Sequence, residues 1–255
     1  MIFYKIKNKL SKYKKRLKNW FLKPSFILFY HRIAEVSDDP HLLSVSPKRF
    51  EDQLKYLQNN FKIISLKEFA QNFKNEKIIR NSIVITFDDG YVDNLINALP
   101  ILKKLQIPAT VFVTAGKINS NEPFYWDENT DKRDQGRALT ENELKRIASN
   151  PLVEIGAHTM THPHLSTLSI EKQRYEIEES KKILEKITNK QITFFSYPFG
   201  GKEDFNNETI NILKQNNFNV ACTTIGENIK KTSFLLTLPR KIVRNWDIQD
   251  FKRNI

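Results

Sequence analysis

The sequence is nearly free of cysteine. One residue in 255, Cys222, cannot form an internal disulfide, so no oxidising compartment is implied. It ends the apolar run Asn219-Val220-Ala221-Cys222 and reads as core. Glycine is scarce as well, at 7 residues, and no repeat, low-complexity tract or Pro/Gly-rich linker divides the chain. Long apolar runs are missing. None approaches the ~20 residues of a spanning helix. None of the ~7–15 residues of a signal-peptide core follows the N-terminal charges, so no export signal is expected. No helix-turn-helix, zinc-finger or aromatic RNA-binding motif occurs, which disfavours nucleic acid as a partner.

Acid is absent from residues 1–23, which carry nine lysines and arginines; without them the formal charge of +12 falls to +3. Ile2, Ile6, Leu10, Tyr13, Leu17 and Trp20 recur at helical spacing there, so this segment is expected to be a basic amphipathic helix or arm. Such a stripe can lie on an anionic membrane surface; a helix packed on the body or a disordered arm are the plainer alternatives. The expected location is the cytoplasm, with peripheral attachment to the inner face of the cell membrane left open.

Residues 24–255 read as one domain, of ordinary globular composition at 40% hydrophobic and 27% charged for the whole chain. Short β-rich runs are expected at 26–30, 62–64, 82–87, 110–114, 153–157, 193–197 and 219–223. Helical patterns lie between them. Ser46-Pro47 reads as an N-cap and first helical residue ahead of Phe50, Leu54 and Leu57. Ser65 with Glu68, and Thr140 with Glu143, have capping-box spacing. A long half-exposed helix should follow Ser169. Strand–helix alternation with apolar strands implies a parallel sheet covered on both faces, either a barrel or a doubly wound sheet. Residues 115–138 form the one long polar stretch, and loops of that length are often functional.

Three segments carry chemistry. In Ile83-Val84-Ile85-Thr86-Phe87-Asp88-Asp89-Gly90 an apolar strand ends in two carboxylates and a glycine. One acid could bind a metal while the other acts as base; a helix N-cap would account for one Asp but not for both. In His158-Thr159-Met160-Thr161-His162-Pro163-His164, three of the five histidines fall within seven residues. His158 and His162 are spaced to face one ion, and with a carboxylate they would leave positions open for water and substrate. His164, after the proline, reads as a surface bystander. The third segment, Phe194-Phe195-Ser196-Tyr197-Pro198-Phe199-Gly200-Gly201, is a strand ending in an aromatic turn and is weak evidence alone.

In order and in residues, Thr86-Phe87-Asp88-Asp89-Gly90, His158-Thr159-Met160-Thr161-His162 and Tyr197-Pro198-Phe199-Gly200 together resemble the polysaccharide deacetylases, the NodB-homology or carbohydrate esterase 4 family. The resemblance spans about residues 26–245. It implies a distorted (β/α) barrel of about seven repeats and hydrolysis of an N-acetyl group on an N-acetylhexosamine. The glycan would be a bacterial surface polysaccharide or a lipid-linked precursor. It further implies one divalent metal, in the usual case Zn²⁺, held by Asp89, His158 and His162, with Asp88 as general base toward a metal-activated water. Tyr197, Pro198 and Phe199 would contact substrate, with a backbone N–H near Tyr197 stabilising the oxyanion.

The sequence departs from the family at the third segment. Many members carry an arginine two residues before the proline, where this chain has Ser196; Arg240 is the candidate replacement. The late histidine that usually serves as general acid is missing, since no histidine follows His164, and Asn245-Trp246-Asp247 matches the family's late motif poorly. His31, at the end of the first strand, is the candidate acid; its alternative is a hydrogen-bonded structural histidine. A Tyr-His-Arg start resembles a branch found among bacterial glycan-assembly enzymes, and in that setting Trp126 of Tyr125-Trp126-Asp127 is a candidate sugar platform or, equally, a loop anchor. Two other readings stay open: a glycan O-acetyl esterase, and a glycan-binding protein with an impaired site. The oligomeric state is not legible.

Overall fold

The computed structural model describes residues 25–75, 80–132 and 135–255; the expected basic helix or arm of residues 1–23 lies outside them. Among the described residues there are ten strands: β1 (Phe26–Tyr30), β2 (Arg32–Ile33), β3 (Ser44–Val45), β4 (Lys62–Ile63), β5 (Ser82–Phe87), β6 (Ala109–Val113), β7 (Val153–Ala157), β8 (Phe194–Ser196), β9 (Val220–Cys222) and β10 (Lys241–Ile242). Seven α-helices accompany them among the same residues: α1 (Pro47–Asn60), α2 (Leu66–Lys74), α3 (Leu99–Leu105), α4 (Glu141–Ala148), α5 (Ile170–Thr188), α6 (Asn207–Gln215) and α7 (Ile248–Asn254).

The main sheet runs β10-β1-β5-β6-β7-β8-β9, with β4 beside the start of β5, and all of its pairings are parallel. Its two ends meet. Leu238 pairs with Cys222 of β9, and three residues on, at Lys241, β10 pairs with β1. The sheet thus curls into a distorted (β/α) barrel rather than a doubly wound sheet. β2 and β3 pair separately. These two and β10, two residues each, had no apolar run to announce them.

Strand alternation sorts the side chains. Leu28, Tyr30, Ile83, Ile85, Phe87, Val111, Val113, Ile155 and Ala157 form one large core with residues of the surrounding helices such as Phe50, Leu144 and Ile177. Ile27, Val84, Phe112, Phe194, Val220, Cys222 and Leu238 form the second core inside the barrel, and Leu66, Phe69 and Ala70 of α2 pack against it. Gly156 is required there, since a Cβ would lie 2.4 Å from Cδ1 of Phe112. Cys222 is a fully buried core residue, as its sequence context implied.

The helix starts follow their local signals. Ser46 caps α1 by accepting from Arg49 N–H, Ser65 caps α2 by accepting from Glu68 N–H, and Thr140 with Glu143 forms a full capping box at α4. Glu143 also holds Arg137 through two hydrogen bonds of 2.7 Å, which pins the end of the 115–138 loop to α4. The same end is also held by Tyr91, bridged to Ala138.

The Arg137 hydrogen bonds keep the Glu143 carboxyl at about 2, although burial works the other way. An unfolded Glu titrates near ~4.3, so the interaction contributes fully above that pH and is lost as pH falls through about 2. Glu143→Gln should cost about 1 kcal/mol near neutral pH. Urea denaturation of wild type and variant over a pH series should show the gap closing toward the acid end.

Candidate active site

On each strand every second residue faces the barrel interior, and at the C-terminal ends of the strands this face turns polar. Continuing the alternation from Ile27, Val84, Phe112, Phe194 and Leu238 brings His31, Asp88, His158, Ser196 and Arg240 to one mouth. Asp89 is at the wrong parity and reaches the same mouth by backbone geometry. It lies at φ +72 and is followed by Gly90 at φ +79, two left-handed residues that turn the chain at the strand end. A left-handed non-glycine residue is strained, and such strain gathers at functional sites.

Arg240 is only 1% exposed and holds Asp88 on both oxygens, Nη1 to Oδ1 at 2.8 Å and Nη2 to Oδ2 at 2.6 Å. Nη2 also donates to Ser196 Oγ (2.8 Å), Nη1 to Thr86 Oγ1 (3.2 Å) and Nε to the Thr223 carbonyl (3.0 Å). Its guanidinium carbon lies 4.5 Å from the Phe29 ring centre and 5.5 Å from that of Phe112. Burial raises the Asp88 carboxyl, but the Arg240 charge and its hydrogen bonds outweigh it and hold Asp88 down at about 2. Asp88 is therefore an anion at any working pH. Arg240 occupies the place beside Asp88 that Ser196 is too short to fill.

Asp89, His158 and His162 offer three ligand atoms within 4.8 Å of one another. His158 Nε2 is 3.5 Å and His162 Nε2 3.7 Å from Asp89 Oδ1. Tetrahedral coordination at ~2.1 Å sets ligand atoms about 3.4 Å apart, so these edges match a single small cation. Both Asp89 oxygens are buried without a hydrogen-bond partner among the described residues, which is costly for an ionised carboxylate unless a cation meets it. His158 Nδ1 donates to the Ser196 carbonyl at 2.7 Å. That fixes the tautomer and presents the Nε2 lone pair to Asp89. Burial, then the neighbouring His158, push His162 down to about 4, so His162 is neutral and free to ligate near pH 7. Burial also lowers His158, but Asp89, Asp88 and the Ser196 carbonyl outweigh it and shift His158 upward. The residues fit one divalent metal.

The cleft above this cluster has a volume of about 400 Å³ and is lined by His31, Asp88, Asp89, Trp126, His158 and His162, with His41, Leu43, Tyr125, Phe199 and Thr224 around them. Burial lowers the His31 imidazole, partly offset by Asp89 and Asp88. Trp126 donates from Nε1 to Tyr91 Oη (2.8 Å), and Tyr91 in turn donates to Asp127 (2.7 Å). Trp126 is stacked on Phe124 and meets His162 edge-on. It is at once anchored and part of the cleft wall.

Two expected substrate contacts fall elsewhere. Tyr197 is fully buried, its hydroxyl donates to Leu236 and its ring stacks on Phe205. Its backbone N–H is given to the Cys222 carbonyl at 3.1 Å, so it is not available to an oxyanion. Pro198 is buried as well. Of that segment Phe199 lines the cleft; at φ +58 it projects to the rim. His164 is exposed as expected, but its ring lies flat on Phe199, with centroids 3.7 Å apart, and Nδ1 pairs with Asp204. Asp247 of the poor late motif caps α7. Glu176, His41 and Thr224 were not legible from local sequence, since none belongs to a dense cluster of ionisable residues at a strand end; Thr86 lay within a motif, but nothing local showed that it would meet Arg240. Ser196 stood out only for what it lacked, yet its carbonyl orients His158.

Residues 75–221 match the family model described as polysaccharide deacetylase. YxkH of Bacillus subtilis (strain 168) is 30% identical over 200 residues, covering 78% of this chain and 63% of that protein. The poly-beta-1,6-N-acetyl-D-glucosamine N-deacetylase of Staphylococcus aureus (strain MRSA252) is 31% identical over 189 residues, covering 71% and 60%. The chain thus spans about three fifths of the length of these relatives. Among solved structures, Streptococcus pyogenes deacetylase PplD in complex with acetate superposes with a TM-score of 0.76 at 25% identity, covering 91% of this chain and 97% of that one. IcaB from Ammonifex degensii shares the fold, with a TM-score of 0.73 at 20% identity and coverage of 91% and 95%.

Removing one partner of a buried ion pair strands the other charge, at a cost of about 3–5 kcal/mol. Arg240→Met should show that loss in urea denaturation. The double variant Asp88→Ala/Arg240→Met should recover part of it, and strictly additive losses would mean that the pair is not coupled.

Proposed function

The chain belongs to the polysaccharide deacetylase family, and on that premise we propose that it removes acetyl groups from N-acetylhexosamine units of a glycan by metal-assisted hydrolysis of the amide bond. One observation carries the reading: a carboxylate locked as an anion by Arg240 stands beside a buried Asp–His–His set whose carboxylate lacks a protein partner, at the floor of a sugar-sized cleft. The name of the Staphylococcus aureus relative, which gives an N-acetylglucosamine polymer as that protein's substrate, supports the substrate class.

Two imidazoles and a carboxylate suit zinc. When bound by Asp89, His158 and His162, the cation supplies Lewis acidity toward the acetyl carbonyl and makes water more acidic. The other residues follow from their positions. Asp88 accepts the proton of the attacking water, and Arg240 and Ser196 hold the carboxylate in place for it. His31, on the same mouth, passes to the departing amine the proton that Asp88 takes from the water; burial holds its imidazole low, so it brings no extra proton of its own and releases the one it receives readily. Trp126, Phe199 and Tyr125 offer aromatic faces to the sugar rings. The basic, amphipathic sequence of residues 1–23 supports attachment to an anionic membrane surface, and with it a membrane-proximal or lipid-linked glycan as substrate.

The test is acetate release from N-acetylglucosamine oligomers by the zinc-loaded protein. Asp88→Asn should lower turnover by about 10²–10⁴-fold with zinc retained. His31→Ala should lower kcat strongly with metal content unchanged; unaltered turnover would remove His31 from the mechanism. Acetate from O-acetylated but not N-acetylated oligomers would make the protein an esterase. No acetate from either, with zinc bound, would leave a glycan-binding protein on this fold.

A further inference from the structure

The two histidines of the Asp–His–His set are held in different ways. His158 is fixed through its ring, by the Ser196 carbonyl at Nδ1. The corresponding Nδ1 of His162 is buried with no hydrogen-bond partner among the described residues. Its ring meets Trp126, His158 and Phe199 edge-on. Such contacts confine a ring but do not set its rotation as a hydrogen bond does. Orientation of His162 must therefore come through its backbone, and that backbone is strained: Thr159 lies at φ +65 and His162 at φ +62. Left-handed non-glycine residues persist only where the surroundings over-determine them.

Glu176, on α5, does this. It is buried at 6% exposure and faces the turn between the two histidines. Oε2 accepts from the N–H groups of Met160 (2.8 Å) and Thr161 (2.9 Å), and Oε1 accepts from Thr161 Oγ1 (2.7 Å). The carbonyls of the same turn are held from the other side, Thr159 by Ala115 N–H and Met160 by Gly116 N–H, both at 2.9 Å. No side chain fits at position 116, where a Cβ would lie 2.4 Å from the Met160 carbonyl oxygen. The turn is thus clamped on both edges, and its last residue is His162.

We propose that Glu176 is the positioning residue for His162, replacing with three hydrogen bonds to the turn the ring contact that His162 lacks. The proposal rests on the metal reading of the site. Outer partners that orient a metal ligand commonly contribute about ten- to a hundredfold to metal affinity. A carboxylate suits the task because one group can accept from three donors at once. Glutamine can nearly match it: its carbonyl accepts from both N–H groups, and its amide can donate to the Thr161 hydroxyl.

Zinc affinity of the full chain, measured by competition with a chromophoric chelator, tests this alongside melting of the metal-free protein. Glu176→Ala should bind zinc about ten- to a hundredfold more weakly, and Glu176→Gln should restore affinity to within about threefold of wild type. Wild-type affinity in a folded Glu176→Ala would overturn the proposal. A Gln variant as weak as Ala would also overturn it, assigning the effect to charge instead of position. If Glu176→Ala does not fold, Thr161→Val, which removes the hydroxyl contact alone, should still bind zinc several-fold more weakly; unchanged affinity there would reduce Glu176 to a support of the fold and overturn the proposal. A wild-type protein that binds no zinc would instead sink the metal reading itself, a result separate from any difference among the variants.

Discussion

A carboxylate at the mouth of an apolar barrel stays charged only if something meets it, and Arg240 meets Asp88 from inside the barrel. The pair is buried on both sides, so each charge would be prohibitive without the other. Much of the surrounding structure serves this contact. Phe29 and Phe112 bracket the guanidinium, Thr86 and Ser196 accept from it, and the Thr223 carbonyl takes its remaining Nε–H. Closure of the sheet matters for the same reason. Arg240 lies between Leu238, paired to β9, and Lys241, paired to β1, so the link that closes the ring delivers the cation.

Parity explains which residues share the mouth. His31, Asp88, His158, Ser196 and Arg240 come from five segments scattered along the sequence, and parallel pairing with side chains alternating every second residue aims all five inward. Asp89 cannot follow that rule, and left-handed geometry at Asp89 and Gly90 brings it in. Adjacent carboxylates on one strand thus do different work. Asp88 points along the strand's own pleat to Arg240, while Asp89 is turned out of it to face two imidazoles.

The parts of this arrangement legible in sequence are those with local signals. The apolar runs of β1, β5 and β7, the caps at Ser46, Ser65 and Thr140, and the dense Asp and His segments could be read directly, because each is determined within a few residues. Arg240 was identifiable only through an absence, the missing arginine before Pro198. Strands β2, β3 and β10 and the Glu176 contacts were not readable, because they depend on which distant segments the barrel brings together. Glu176 in particular sits in a helix rich in glutamate and lysine, where nothing local separates one buried acid from its exposed neighbours. Tyr197 and Pro198 show the converse error: being in a motif does not place a side chain in the cleft, and here the motif's turn sends Tyr197 into the core and Phe199 to the rim.

The exchange of Ser196 and Arg240 shows what the site constrains. The requirement is a guanidinium in the plane of the Asp88 carboxylate, since bidentate pairing fixes both its charge and its orientation. A barrel mouth can be reached from several strands, so the side chain that meets this requirement need not keep its place in the chain. Moving the arginine to the closing segment leaves position 196 with a short residue whose carbonyl still orients His158 and whose hydroxyl joins the Arg240–Asp88 contact. Asp88 and the Asp–His–His set are therefore linked through one residue, and the departure from the family pattern at Ser196 preserves the contact to Asp88.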